Sequence, residues 1–361
     1  MFENVERIEA PSQDVFIRDY VLKQKPVIIT NLFDGQPIRE MNSLERVREK
    51  LGDTQVLVHD GYDNEDQKVL QAIMSGHYDD TSWLAKEPST IGEFLEHIER
   101  HPTTRRVISE VPAAMLPQVH ALYEPPIYCR TKDGLLDEDY EVDFWMGRRG
   151  HFIQVHFDRD ARNMLQYQVF GEKRVILIPP DSSKKLVPIR NSATVTPVGV
   201  SESERDEYVR YMNGYQCIVR TGEALFMPTY IYHSFDYSQT SMAFTMRFLR
   251  NSYLRFMAQH LHTDFRIQML GWKLIRGGSS DEKYLAAFQE LEALWATAHL
   301  SAHEKADAIQ KRLEDIYERV LSGEQRGYFS RQFVEVLREG VRRMEVTQAG
   351  FYRSEERVAL A

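Results

Sequence analysis

Residues 151–160 read HFIQVHFDRD and set His156 and Asp158 two positions apart in an apolar, aromatic segment. In a β-strand, side chains two apart project to the same face, so an imidazole and a carboxylate would point together into whatever that face encloses. This is a plausible pair of metal ligands. Strict alternation puts Phe152, Gln154, His156 and Asp158 on one face and His151, Ile153 and Val155 on the other, which makes His151 a poorer ligand. The His-x-Asp spacing recurs at His77/Asp79 and His262/Asp264 among 12 histidines. His77 lies in a polar, loop-like stretch, and helical spacing would turn His262 away from Asp264. Both read as structural or solvated residues.

Two ligands do not make an open-sided catalytic site; a third must complete one triangular face and leave positions for reactants. The segment GEALFMPTYIYHSFDY (222–237) reads as turn, apolar strand, proline and aromatic strand, and it presents His233 among tyrosines. A histidine in such a strand serves as a satisfied core residue or as a third ligand, and spacing does not choose between them. His299 and His303 are four apart, but the Leu300-Ser301 junction between them breaks a helix.

The elements that must position these residues divide the chain into three stretches. Over 1–104, strand-like KPVIITNL (25–32), helical SLERVREKLGD (43–53) and a helix after Ser89 or Thr90 form an α/β region. Over 105–250, short apolar runs punctuated by glycine and proline predict an all-β barrel or sandwich. Within it, 181–208 is polar and reads as a long loop over the barrel mouth. Over 251–361 the pattern is helical. Ala306, Ile309, Leu313, Ile316 and Val320 form one apolar seam and Phe333, Leu337, Val341 and Met344 another, as in a helical bundle or homodimer interface.

The chain has 361 residues, a net charge of −9 and two cysteines, Cys129 and Cys217. Two cysteines exclude a disulfide framework, and the charged N-terminus does not read as a signal peptide, so a cytoplasmic location is expected. No apolar run is long enough to span a membrane. The acidic balance disfavours nucleic acid, and the arginine pairs 105–106, 148–149 and 342–343 are short.

Three blocks in order, FWMGRRGHFIQVHFD (144–158), QVFGEKRVILIPP (168–180) and GEALFMPTYIYH (222–233), resemble the JmjC-type, cupin-like Fe(II)- and 2-oxoglutarate-dependent oxygenases. That family shows W-x-G-x-x-G-x-x-T/S-P-x-H-x-D, then Q-x-x-G-x-K-x-x-x-L-x-P-P, then G-D-x-L-F-x-P-x-x-W-x-H. The resemblance implies a double-stranded β-helix, mostly β with α, flanked by the N-terminal α/β region and the C-terminal helices. Position by position it implies that His156, Asp158 and His233 hold iron and that Lys173 pairs with the distal carboxylate of 2-oxoglutarate. Thr245 and Gln166 would also face the cosubstrate. Oxygen would be the third reactant, and a peptide, protein side chain or amino-acid-derived small molecule the substrate. Trp145, Arg148, Arg149 and the tyrosine-rich segment 228–237 are the candidate substrate contacts, with the two arginines suited to an acidic group.

Three positions depart from the pattern. Ile153-Gln154 replaces the Thr/Ser-Pro pair and removes a hydroxyl that often contacts 2-oxoglutarate; Glu223 replaces the aspartate of the G-D turn; and Ile231 replaces the tryptophan. A metal-dependent cupin that does not use 2-oxoglutarate would explain the three ligands but leave Lys173 without a partner. A non-catalytic cupin module would require no ligands at all.

Overall fold

The structure is a computed structural model that describes residues 2–60, 86–112, 115–158 and 162–249, except 187, 190–191, 194–196 and 198–200, together with residue 293. The expected C-terminal helices and dimer seams, the His-x-Asp pairs at 77 and 262, and the pair His299/His303 lie outside the described residues.

Among the described residues, fifteen strands form two sheets. The nine-stranded sheet runs in space as β1 (Glu6–Ile8), β2 (Val27–Ile29), β13 (Ala224–Met227), β8 (Asn163–Phe170), β15 (Ser241–Phe248), β6 (Glu141–Gly147), β5 (Arg106–Pro112), β3 (Gln55–Asp60) and β4 (Glu87–Thr90). The six-stranded sheet runs as β10 (Pro188–Ile189), β11 (Ser192–Ala193), β7 (Phe152–His156), β14 (Tyr232–Asp236), β9 (Glu172–Ile178) and β12 (Tyr215–Arg220). Successive strands change sheets except at β9 and β12, which pair with each other: β6, β8, β13 and β15 lie in one sheet and β7, β9, β12 and β14 in the other, all paired antiparallel. This winding of eight strands through two facing sheets is the jelly-roll arrangement. The N-terminal strands β1 to β5 extend the same nine-stranded sheet on both sides rather than forming a layer beneath it.

The period-two pattern explains the layering, because most barrel strands are buried on both faces. On β8, Leu165, Tyr167 and Val169 point to the outer core of the large sheet, which Phe16, Phe33, Phe94 and Phe144 share. On β9, Ile176 and Ile178 face a second outer core shared with Val209 and Met212, whereas Val175 and Leu177 face inward. The inner core is filled by Ile28, Ile153, Met164, Cys217, Val219, Leu225 and Phe235 from both sheets. Both cysteines are buried free thiols whose pKa burial pushes up, so neither is a reactive thiolate.

Two glycines are required by their surroundings. Gly171 turns β8 into β9 at φ +77°, and a Cβ there would lie 2.3 Å from the Thr240 carbonyl oxygen. Gly147 lies against the Tyr237 ring, where a Cβ would stand 2.8 Å from Cε1.

The polar stretch 181–208 is not simply a loop. Its end forms the helix Glu202–Tyr211, started by a capping box in which the Ser201 hydroxyl accepts from the Glu204 N–H while the Glu204 carboxylate accepts from the Ser201 N–H. Val209 seats this helix on the outer face of the small sheet, not over the mouth. Among the described residues of the stretch, Ser192, paired with His156, reaches the edge of the site. A second capping box, Thr90 with Glu93, starts the helix Ile91–Arg100 as expected.

Candidate metal centre and its cavity

His156 ends β7 and His233 lies near the start of β14, directly opposite it in the antiparallel register. Asp158 lies two residues beyond the strand end, where the chain turns back toward both. The Asp158 Oδ1 atom is 3.5 Å from His156 Nε2 and 3.7 Å from His233 Nε2, and the two imidazole centroids are 4.4 Å apart. One ligand atom from each residue falls within 4.8 Å of the others. That separation suits a cation placed between them, since a metal about 2.0–2.2 Å from each atom holds its ligands roughly 3–4 Å apart.

The tautomers are fixed by the backbone. His156 Nδ1 donates to the Gln154 carbonyl at 2.8 Å and His233 Nδ1 donates to the Ile231 carbonyl at 3.0 Å. A carbonyl only accepts, so the proton sits on Nδ1 and the Nε2 lone pair faces the carboxylate. Burial, followed by the neighbouring His156, pushes the His233 pKa down to about 4, so this imidazole is neutral and able to ligate at physiological pH. Burial works to raise the Asp158 pKa, but the charged groups around it, the Arg162 guanidinium among them, reverse this and hold the carboxyl below its ordinary value.

Arg247 fixes the other carboxylate oxygen. Its guanidinium donates to Asp158 Oδ2 at 3.2 Å and is also ion-paired with Asp143. With Oδ2 engaged, Oδ1 is the atom turned to the histidines. Arg247 stands two residues after Thr245 on the same face of β15, so strand alternation alone marks it as an inward cation, although the sequence reading did not single it out.

The cluster opens into a cavity of about 40 Å³ between the two sheets, lined by both sequence-predicted and unforeseen residues. His156, Asp158, His233, Gln166, Thr245 and Trp145 line it, as expected; Arg247, Tyr237 and Glu110 do so as well. The Gln166 amide lies 3.4 Å from the Thr245 hydroxyl. Ile153 also lines the cavity, contrary to strict alternation. His156 pairs with His233 and Ile153 with Phe235, so three residues of β7 span two of β14. This bulge turns Ile153 and His156 to the same side.

Lys173 points inward from β9, 1% exposed, with Nζ 4.3 Å from the Tyr237 ring centroid and 5.5 Å from that of Phe235. It does not itself line the cavity; these two rings stand between. Among the described residues no carboxylate pairs with it, and burial pushes its pKa down to about 7. Arg148 and Arg149 are not at the cavity. Arg148 donates to the Thr104 carbonyl at 2.6 Å, and the Arg149 backbone N–H donates to the Thr240 hydroxyl.

Two facing sheets wound as a jelly roll define a cupin-like fold, and here they bring two histidines and one carboxylate together. The chain belongs to the cupin-like domain family, whose model matches residues 12–252, most of the chain. Its relatives are JmjC-domain proteins. It is 22% identical over 238 residues to Jumonji C domain-containing protein 5 of Drosophila melanogaster, covering 64% of this chain and 56% of that protein. It is 23% identical over 254 residues to Lysine-specific demethylase 8 of Danio rerio, covering 68% and 58%. It is also 25% identical over 259 residues to the human Bifunctional peptidase and (3S)-lysyl hydroxylase JMJD7, covering 63% and 78%. The chain thus spans a little over half the length of the fly and zebrafish relatives. No helix among the described residues is long and apolar enough to cross a membrane.

Proposed function

We propose that this protein is an Fe(II)- and 2-oxoglutarate-dependent hydroxylase whose substrate is a basic side chain of a peptide, protein or amino acid. The observation that carries the reading is the convergence of His156, Asp158 and His233 at one end of a cavity, with both Nδ1 protons tied to backbone carbonyls. The donor set of two imidazoles and one carboxylate fits iron(II) and leaves coordination positions open for reactants. The unpaired Lys173 ammonium fits a dianionic cosubstrate, because a buried cation is stable only when an anion joins it.

Iron held by these three side chains would supply oxygen activation, with one atom of O2 going to succinate as 2-oxoglutarate is decarboxylated and the other to the substrate hydroxyl. The protein's own residues provide position and charge. Arg247 steadies Asp158, the histidine Nδ1 hydrogen bonds hold the ring orientations, and Phe235, Met164 and Met227 keep the interior dry.

The mouth supports a cationic substrate. A bulge in β5, where Ile108 pairs with Met146 and Val111 with Phe144, carries Glu110 to the cavity rim at φ 47°. A non-glycine residue held in the left-handed region stores strain of order 1–3 kcal/mol, a cost found preferentially at functional sites. No hydrogen bond or ion pair engages the Glu110 carboxylate among the described residues, and the half-buried Trp145 indole lies across the strand pair from the bulge. A carboxylate beside an indole recognises an ammonium or guanidinium. Charge agrees: Lys173 and Arg247 face Asp143, Asp158 and Glu110, and a ferrous ion cancels a dianionic cosubstrate, so one negative charge remains for the substrate. The names of the relatives, lysine-specific demethylase and lysyl hydroxylase, describe enzymes acting on basic side chains.

The test is succinate formation from 2-oxoglutarate with Fe(II), run beside His156→Ala, and mass spectrometry of lysine- and arginine-containing peptides with glutamate and leucine controls. Succinate from the wild type alone, with one oxygen gained on the basic peptides, is expected. Equal turnover by His156→Ala would end the assignment. A preference for the glutamate peptide would overturn the substrate class, and loss of a methyl group as formaldehyde from methylated peptides would make the outcome demethylation.

A further inference from the structure

The cavity holds a hydroxyl group that the family pattern does not provide. Ile153 stands where related sequences carry threonine or serine, so the inner wall lacks the hydroxyl donor of that position. Tyr237 lies four residues beyond His233, hence on the same inward face as His233 and Phe235. It is 1% exposed, its ring lines the cavity, and its phenol oxygen has no hydrogen-bond partner. A buried hydroxyl without a partner costs about 1–3 kcal/mol, a penalty that a bound ligand removes.

The ring's seat is specific. Gly147 leaves room for it, since any side chain there would press on Cε1, and His151 meets it edge-on at 5.0 Å. The Lys173 ammonium rests on the ring face at 4.3 Å. The ring of Tyr237 lines the cavity and the Lys173 ammonium lies against its face, so an O–H donor and a cation stand at the same end of the barrel. Burial pushes the phenol pKa up, so the group remains a donor throughout the physiological range. A ligand atom that satisfies a hydroxyl beside an ammonium must accept hydrogen bonds and carry negative charge, as a carboxylate does.

We infer that Tyr237 is a cosubstrate-binding residue that donates its hydroxyl to the distal carboxylate of 2-oxoglutarate, in the place left empty by Ile153. This rests on the 2-oxoglutarate reading above. Tyr237→Phe is the discriminating variant, because it keeps the ring that packs on Gly147 and supports Lys173 and removes only the oxygen.

The experiment titrates 2-oxoglutarate and 2-oxobutanoate, which lacks the distal carboxylate, into Mn(II)-loaded wild type, Tyr237→Phe and Lys173→Met, with binding followed by calorimetry. A hydrogen bond to a charged group predicts that Tyr237→Phe weakens 2-oxoglutarate binding about tenfold or more and leaves 2-oxobutanoate unchanged. If Lys173→Met loses affinity while Tyr237→Phe binds as the wild type does, Tyr237 is not a donor and the cosubstrate reading stands without it. Equal weakening of both acids by Tyr237→Phe overturns the assignment to the distal end. A wild type that binds neither acid removes the cosubstrate and this inference together.

Discussion

Replacing Arg247 by methionine leaves Asp143 and Asp158 without the cation they share. The three side chains are 8%, 10% and 18% exposed, so neither carboxylate can recover full hydration by turning outward. Removing one partner of a buried pair costs about 3–5 kcal/mol, against 0–1 kcal/mol for a surface pair. Asp158 keeps some contact with solvent, and either carboxylate can take up a proton, so the lower end applies. A loss of about 3 kcal/mol corresponds to roughly 6–12 °C in melting temperature for a domain of this size. The assay is thermal and urea unfolding of chelator-treated protein, which keeps metal linkage out of the comparison. Placed in an Asp143→Asn background, the same replacement should cost about 1–3 kcal/mol less, since the two groups are coupled. Unfolding of Arg247→Met within about 0.5 kcal/mol of the wild type would refute the view that Arg247 neutralises a buried acidic pair, because that is the range of an ordinary surface substitution.

The remaining predictions concern the ligands, Lys173 and Glu110. His233→Ala should lower Mn(II) affinity by more than about a hundredfold, the upper range for disturbing a ligand's hydrogen-bonding partner alone; calorimetry showing unaltered affinity would place the metal elsewhere. The Lys173 pKa falls from 10.5 to about 7 on folding, so between those values the unfolded chain holds a proton that the folded chain lacks, and stability rises with pH. Lys173→Met should therefore exceed the wild type in urea stability by a constant margin below about pH 7 and a shrinking one toward pH 10, and a margin that does not change with pH would contradict the burial of an unpaired ammonium. Glu110→Gly should be neutral or stabilise by about 1 kcal/mol, as the left-handed backbone is relieved, while binding of a lysine peptide weakens; a clear loss of stability would show that the carboxylate holds the fold instead.

Much of the site was legible because the barrel strands are buried on both faces and keep period two. The resemblance of three ordered blocks singled out Gln166 on β8, Thr245 on β15 and His233 on β14, and all three line the cavity. Counting failed on β7, where the bulge opposite His233 and Phe235 turns Ile153 inward with His156. A bulge adds a residue without any composition signal, and FIQVH has neither the glycine nor the proline that would flag one. The helix Glu202–Tyr211 was hidden for a different reason. It buries only Arg205 and Val209, so it has almost no apolar stripe, and its capping box SESE was the one signal present. Arg247 went unmarked because charge was judged without facing: it sits within the alternation of β15, whereas Arg148 and Arg149 follow the end of β6.

The inward positions of this barrel divide by chemistry along the strands, and that division is what makes a reaction site of a packed core. On β14 and just past it, His233, Phe235 and Tyr237 carry the inner face from the metal-ligand cluster to the ring beneath Lys173. Beside them on β9, Lys173, Val175 and Leu177 run antiparallel, so the ammonium lies at the opposite end of the pair from His233, whose partner is Leu177. A ligand that spans these two ends needs one group for a cation held by histidines and another for an ammonium, with apolar walls between. That is the shape of a short dicarboxylic acid with a metal-chelating end. The geometry therefore argues for such a cosubstrate through spacing and polarity in this chain, independently of the loss of hydroxyl at Ile153. Under the proposed function, Lys173 and Tyr237 are the far-end groups that would set how tightly it is held.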